Sequence, residues 1–335
     1  MTQMSVRAPR ARIVTLEEIT GLVDREAIIS AVSSAFVAHA RGEVSSPMPG
    51  QLIFPEKNGE CHIKYGAIKT DGNFVIKIAT GFYNNGALNL PVNDGCVLVL
   101  SSETGQLQSI FLDEGWLTAW RTAAAGCVAS LALARSDIDT ITIVGTGHQA
   151  RLQGQWLAEA FPRCKVLIAG RSATRAEELA ATLRSVGVRA EGAVSIEAAV
   201  RVAGLIVTLT ASHSPLFDRR DVRPGTHITA MGSDTPGKQE LESGLLADAA
   251  LIAFDDRAQC LDHGELGWGV RQGRIDPGAG VALGSILEDP SKGRARGEDI
   301  TIADLTGIAA QDIAIASFFM KRLGSAASST AAQLA

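Results

Sequence analysis

The decad Ile141-Thr142-Ile143-Val144-Gly145-Thr146-Gly147-His148-Gln149-Ala150 limits the folds open to this chain more than any other segment. Its β-branched residues suit a short buried strand, and its glycines end that strand in a tight turn. Downstream, Leu152, Trp156, Leu157 and Ala160 share one face of a helix over Gln149 to Phe161. Lys165-Val166-Leu167-Ile168-Ala169 then supplies a second strand at the spacing of a βαβ unit. In such a unit Gly145 permits the turn, Gly147 lets the backbone approach a pyrophosphate, and Ala150 is small where helix packs on strand. The anion rests on the helix N-terminus, where N–H groups without helical partners and the dipole favour negative charge. Gly145, Thr146, Gly147, His148, Gln149 and Ala150 are therefore the expected cofactor-binding segment. A glycine turn with no ligand has the same spacing and is the competing reading.

Where the second strand ends, an NAD-selective site offers Asp or Glu to the ribose 2′-hydroxyl. This chain has Gly170-Arg171-Ser172-Ala173-Thr174-Arg175 there, with no carboxylate. Arg171, Ser172 and Arg175 suit a 2′-phosphate, because a guanidinium presents a planar fork to phosphate oxygens. NADP(H) is the expected cofactor and NAD(H) the alternative. The competing reading makes these ordinary surface arginines beside a helix cap at Ser172 or Thr174.

A chain of 335 residues exceeds what one core usually organises, so two domains are expected. A net charge of -5 exerts no general attraction for nucleic acid or an anionic membrane. No apolar run reaches spanning length, and Met1 to Arg12 carries scattered arginines without the apolar core of a signal peptide. A cytoplasmic protein with a small-molecule substrate is expected. Cys61, Cys96, Cys127, Cys164 and Cys260 are odd in number and widely spaced, which fits small buried hydrophobes better than a disulfide framework or metal site.

Along the chain, Leu16 to Ala40 has helical periodicity. A β-rich portion follows, with strands expected at Gln51–Phe54, His62–Tyr65, Phe74–Ala79, Cys96–Leu100 and Ser109–Leu112 between Gly, Asn, Asp and Pro turns. Leu117 to Ala134 reads as a helix of small residues, able to pack closely. Beyond the glycine turn, strands at Val166–Ala169, Leu205–Thr210, His227–Met231 and Ala250–Phe254 alternate with helices, the pattern of a parallel sheet covered on both faces. Pro290 to Asp299 reads as a charged loop, Ala309 to Leu323 as a final helix, and Gly324 to Ala335 as an end that frays.

Three motifs, Leu117-Thr118-Ala119-Trp120-Arg121-Thr122-Ala123-Ala124-Ala125, Gly145 to Ala150, and Gly232-Ser233-Asp234-Thr235-Pro236-Gly237-Lys238-Gln239-Glu240-Leu241, occur in this order. Together they resemble the ornithine cyclodeaminase and mu-crystallin family over about Val44 to Ala314. That family contains NAD(P)-dependent cyclodeaminases, alanine dehydrogenases and imine reductases. The resemblance implies an α/β fold: a Rossmann-like parallel-sheet dinucleotide domain over 121–307, and an α+β substrate and dimerisation domain over 1–120 plus 308–335, closed by the C-terminal helix. It also implies a homodimer.

By the same resemblance, Lys77 and Arg121 match positions that hold the substrate carboxylate, and Asp234 matches the catalytic acid or base. One Lys and one Arg suit a carboxylate that must be pinned while the α-carbon faces the nicotinamide. An edge-strand position facing water is the alternative for Lys77, an ion pair with Asp113 or Glu114 for Arg121, and an Asx-turn for Asp234. Lys238 is expected at the cofactor and Gln149 at its diphosphate, whereas His148 at a helix start suits neutral scaffolding. Two departures bear on the substrate. Gln51 stands where many relatives have a second carboxylate-binding Arg. Thirteen residues before Lys77, where ornithine-cyclising members have Glu, this chain has Lys64. Lys64 would repel an ornithine ammonium, and on a strand His62 and Lys64 share a face. The expected activity is therefore NAD(P)H-dependent reduction of a 2-imino acid with an acidic or neutral side chain, or the reverse dehydrogenation. An ammonia-releasing cyclodeaminase and a non-catalytic NADPH-binding protein are the alternatives.

Overall fold

The computed structural model describes residues 11–333, which divide into two compact units, one of 11–28, 42–118 and 312–333, the other of 29–41 and 119–311. Residues 1–10, most of the stretch read as lacking a signal-peptide core, lie outside the described residues. Among the described residues no helix is long and apolar enough to cross a membrane.

The first unit holds a seven-stranded sheet of β1 (Arg12–Thr15), β2 (Val44–Ser45), β3 (Gly50–Phe54), β4 (Gly59–Ile68), β5 (Asn73–Phe82), β6 (Asn93–Ser101) and β7 (Leu107–Leu112). Its order is β1-β7-β6-β5-β4-β2, with β3 paired to the other end of β4. All pairs are antiparallel except β1 with β7. The register sets Val75, Val97, Val99, Phe111 and Val14 on one face, where all are buried. Ile13, Ile76, Leu98, Ile110 and Tyr65 alternate onto the other face, which is only partly covered. Strand β1 was not legible in the sequence: four residues beside a helical stretch carry too little alternation. The helical stretch begins at Leu16, where Glu18 returns its carboxylate to the Thr15 N–H at 2.9 Å in a capping box.

The second unit holds an eight-stranded, all-parallel sheet of β8 (Thr140–Val144), β9 (Lys165–Ala169), β10 (Ala190–Gly192), β11 (Leu205–Thr208), β12 (His227–Ala230), β13 (Leu251–Phe254), β14 (Val281–Ala282) and β15 (Thr301–Asp304). The order β10-β9-β8-β11-β12-β15-β13-β14 reverses direction between β8 and β11, the switch point at which open α/β sheets bind ligands. Every residue of β8, β11, β12 and β15 is buried, as expected for strands covered on both faces. The last strand, β15, was missed by sequence reading, yet it lies between β12 and β13 and completes the centre of the sheet.

The helix Trp116–Leu133 approaches the helix His148–Ala160 closely at Gly126, where a Cβ would lie 2.3 Å from Gln153 Nε2. That amide donates to Thr122 O at 3.2 Å, so the small residues of this helix make room for a polar tie. Residues 29–41 were expected with 1–120 but belong to the second unit. The cause is packing against distant segments: a Cβ on Gly284 would stand 1.9 Å from Phe36 O, His39 Nε2 lies 2.9 Å from Asp256 Oδ2, and Arg41 Nη2 pairs with Glu288 at 2.6 Å. The final helix is Ala309–Gln333, longer than the Ala309 to Leu323 expected.

Candidate active site

The glycine turn has the geometry its sequence implies. Gly145 adopts φ 142°, its N–H donates to Ala169 O at 2.8 Å, and a Cβ would meet Leu209 O at 3.0 Å. Gly147 is the N-cap of the 13-residue helix His148–Ala160, no side chain caps that helix, and nothing stands within 4 Å of where a Cβ would be. Open backbone and an uncapped helix start fit a dinucleotide pyrophosphate. The Gln149 side chain donates to Ala119 O at 3.1 Å, so the group it would leave for a phosphate is its backbone N–H. Partial burial and neighbouring Arg151 push the His148 ring toward its neutral form.

Strand β9 brings the arginine loop beside this turn: a Cβ on Gly170 would touch Thr146 at 3.0 Å. Arg171 and Arg175 are exposed there. The Ser172 hydroxyl caps the helix Ala173–Ser185, accepting from Arg175 N at 3.3 Å.

In the first unit, Lys77 is 2% exposed at the middle of β5, between β4 and β6, which rules out an edge position facing water. Its Nζ lies 3.1 Å from Asp312 Oδ1. Asp113, also buried, caps the helix start through Leu117 N at 2.8 Å; burial pushes its pKa up while the charge of Lys77 pulls it down. Lys64 is directly opposite Lys77 in the β4–β5 register and is 8% exposed, so it does not point to solvent. His62 shares this face, and Gln51 is paired with His62 on β3 but is exposed. Lys64 and Lys77 are thus directly opposed on one buried sheet face, with the Lys77 ammonium paired to Asp312.

In the second unit, Arg121 is 7% exposed and donates from Nη1 to Gln311 Oε1 at 2.8 Å. Asp234 stands in the turn that follows β12, at the carboxyl edge of the parallel sheet, and its side chain is 45% exposed. Its Oδ1 accepts from Lys238 Nζ at 2.7 Å, so Lys238, expected at the cofactor, is also a partner of the catalytic candidate.

Beneath this turn lie carboxylates that sequence reading overlooked. Glu240 accepts from Thr208 Oγ1 at 2.6 Å, Thr210 N at 2.6 Å, Thr210 Oγ1 at 2.8 Å and Gly232 N at 2.8 Å, tying the ends of β11 and β12 together. Gly232 is required there, because a Cβ would stand 2.5 Å from the Glu240 carboxyl. Glu265 accepts from the Ser233 hydroxyl, from Glu240 N at 2.7 Å and from Leu241 N at 3.1 Å. Asp304 accepts from Leu266 N at 2.8 Å. The available signal was a charged residue inside an apolar stretch: Glu265 before Leu266, and Gln311-Asp312 between alanines and isoleucine. Among the described residues no group of three or more His, Cys, Asp or Glu is arranged to hold a metal ion.

Burial, reinforced by Asp304, raises Glu265 from 4.5 to about 8. Burial likewise raises Asp304 from 3.8 to about 7, with Asp255 adding to the shift. A raised folded-state pKa contributes stability that is complete below the unfolded value and lost as pH rises through the folded one. Buried His227, lowered from 6.5 to about 3, acts in the opposite sense below pH 6.5, so the carboxylates are read above it. The melting temperature is expected to fall between about pH 6.5 and 8.5, and Asp304→Asn to flatten that fall. Thermal melts showing equal slopes for both proteins would refute the assignment.

A switch-point glycine turn and an Asp-bearing turn on the same edge of one parallel sheet define the class: an α/β dinucleotide-binding protein with a substrate unit. The chain belongs to the ornithine cyclodeaminase/mu-crystallin family, whose description matches residues 10–326. It is 33% identical over 314 residues to the iminosuccinate reductase of Paracoccus denitrificans (strain Pd 1222), covering 91% of this chain and 94% of that one. The solved structure of the Paracoccus denitrificans iminosuccinate reductase with NAD+ superposes with a TM-score of 0.83 at 30% identity, covering 94% and 98% of the two chains. An archaeal alanine dehydrogenase dimer with bound NAD gives a TM-score of 0.85 at 30% identity, covering 94% and 97%. The protein is accordingly a nicotinamide-dinucleotide-dependent oxidoreductase acting on the carbon–nitrogen bond of amino or imino acids.

Proposed function

We propose that this enzyme reduces a 2-imino acid bearing an acidic or neutral side chain, with NADPH as the preferred reductant. The observation that carries the substrate is the buried Lys64–Lys77 pair on one face of β4 and β5. Lys77 and Arg121 hold the α-carboxylate, and Lys64, with Gln51 at the rim, faces the side-chain end. An ornithine or lysine ammonium meets like charge at Lys64. The name of the Paracoccus relative, iminosuccinate reductase, supports a dicarboxylic imine.

The dinucleotide supplies a hydride to the imine carbon. The nitrogen takes up a proton as the C=N bond becomes a C–N single bond, and Asp234 handles that proton from the edge of the sheet. A Lys and an Arg on the carboxylate fix the α-carbon, so the reacting atoms meet in one orientation. The Gly145–Ala150 turn receives the diphosphate through backbone N–H groups, with Lys238 on the same edge. Five free thiols suit a reducing cytoplasm. The half-covered apolar face of the first sheet supports a homodimer; sedimentation showing only monomer would exclude it.

The test is a cofactor-oxidation screen of oxaloacetate, pyruvate and glyoxylate with ammonia or methylamine, alongside ornithine and lysine. Oxaloacetate with ammonia is expected to be turned over fastest. Ammonia release from ornithine without net cofactor turnover would select a cyclodeaminase instead. For the cofactor, Arg171→Asp is expected to weaken NADPH binding by about 1–3 kcal/mol through loss of one charge-assisted contact and gain of a repulsive one. Fluorescence titration giving tighter NADH than NADPH binding in the unmodified protein would overturn the preference.

A further inference from the structure

The Asp234 carboxylate, 45% exposed, is held within its turn by Lys238 Nζ at 2.7 Å, and the backbone that carries it is set by what holds the turn from below. Besides the ties of Gly237 O to His213 Nδ1 at 2.9 Å and of Gln239 N to Ser212 O at 2.8 Å, three anchors do so. The Gly232 N–H is held by Glu240, and the Lys238 carbonyl accepts from Trp268 Nε1 at 2.8 Å. The third anchor is the Glu265 carboxyl, which takes the Ser233 hydroxyl at the start of the turn and the Glu240 and Leu241 N–H groups at its end. Glu265 and Trp268 lie on one short helix, Glu265–Arg271, so a single element closes the turn from both sides. Ser233 is 2% exposed and Glu265 fully buried, and a buried carboxyl is costly unless its hydrogen bonds are met. An apolar side chain would fill this space at lower cost but would offer no acceptor to the residue adjacent to Asp234.

We propose that Glu265, acting through the Ser233 hydroxyl, is a positioning residue that sets the carboxylate of Asp234 for proton transfer. This rests on the reading of Asp234 as the proton-handling group. Glu265 touches neither substrate nor dinucleotide; its effect passes through the backbone between Ser233 and Asp234. Burial raises its pKa, which reduces the negative charge it places beneath Asp234.

Ser233→Ala isolates the link, because Glu265 keeps both backbone donors and the fold keeps its Glu240 tie. With the best of oxaloacetate, pyruvate or glyoxylate plus ammonia as substrate, kcat is expected to fall about 10- to 100-fold, the loss typical of a small misplacement of a reacting group. Substrate KM and NADPH Kd should stay within about twofold, since neither ligand loses a contact. In the Asp234→Asn background the same Ser233→Ala change should have no further effect on kcat, because the two act as one unit. Glu265→Gln, which retains an acceptor toward Ser233, should lose less kcat than Ser233→Ala. Wild-type kcat in Ser233→Ala beside a damaged Asp234→Asn overturns this inference alone. So does a Ser233→Ala loss that multiplies fully with that of Asp234→Asn, or one that is matched by weaker KM and Kd. Wild-type turnover in Asp234→Asn removes the reading beneath it.

Discussion

Asp234→Asn is expected to lower kcat by about two to four orders of magnitude while leaving dinucleotide affinity within about twofold. The substitution preserves size and one oxygen able to accept from Lys238, but it removes the group proposed to take up and release a proton. The turn should survive it. Its anchors to the rest of the unit include those from Gly232 to Glu240, from Ser233 to Glu265 and from Trp268 to the Lys238 carbonyl, and these do not use the Asp234 carboxylate. A loss of kcat without loss of binding is therefore attributable to chemistry. The measurement is steady-state turnover across pH 6 to 9 together with NADPH titration. An Asn variant with the wild-type pH–rate profile would make Asp234 structural.

Lys64→Glu is expected to reverse the order of substrates. Residue 64 is directly opposite Lys77; in the proposed site a carboxylate there would compete with the substrate carboxylate for the Lys77 ammonium and repel a second carboxylate on the side chain. It also attracts an ammonium-bearing side chain. Replacing attraction by repulsion at contact distance in a partly desolvated site changes discrimination by about 2–4 kcal/mol, roughly 30- to 1000-fold. The quantity to compare is the ratio of kcat/KM for oxaloacetate plus ammonia to that for pyruvate plus ammonia, with binding of ornithine as a third reading. Ratios that do not move would remove the acidic-substrate proposal, even with the reductase assignment intact.

Much of the second unit was legible because its signals are local. The β-branched run 140–144, the glycines after it and the helix that follows need only chain geometry to specify a turn that leaves backbone N–H groups open. The Lys77 position was legible for a related reason: a lysine in an apolar strand demands an explanation wherever the strand lies. The missed elements have in common that nothing nearby in the chain marks them. Strand β15 is four residues after a charged loop, and its place between β12 and β13 is set by pairing with strands far away in sequence.

The sequence by itself determined the class of fold, the dinucleotide turn, the missing carboxylate after β9 and the presence of lysines inside the strands of the first unit. Only the tertiary structure decided how buried polar groups are satisfied. Ser233 meets Glu265 across 32 residues and Arg121 meets Gln311 across 190. It also decided that Lys64 faces Lys77 and is buried, and that residues 29–41 join the second unit. The physical reason is that turn and strand preferences are written in neighbouring residues, whereas burial of a charge requires a partner. Which residue becomes that partner depends on sheet order and register, settled only when distant segments pack.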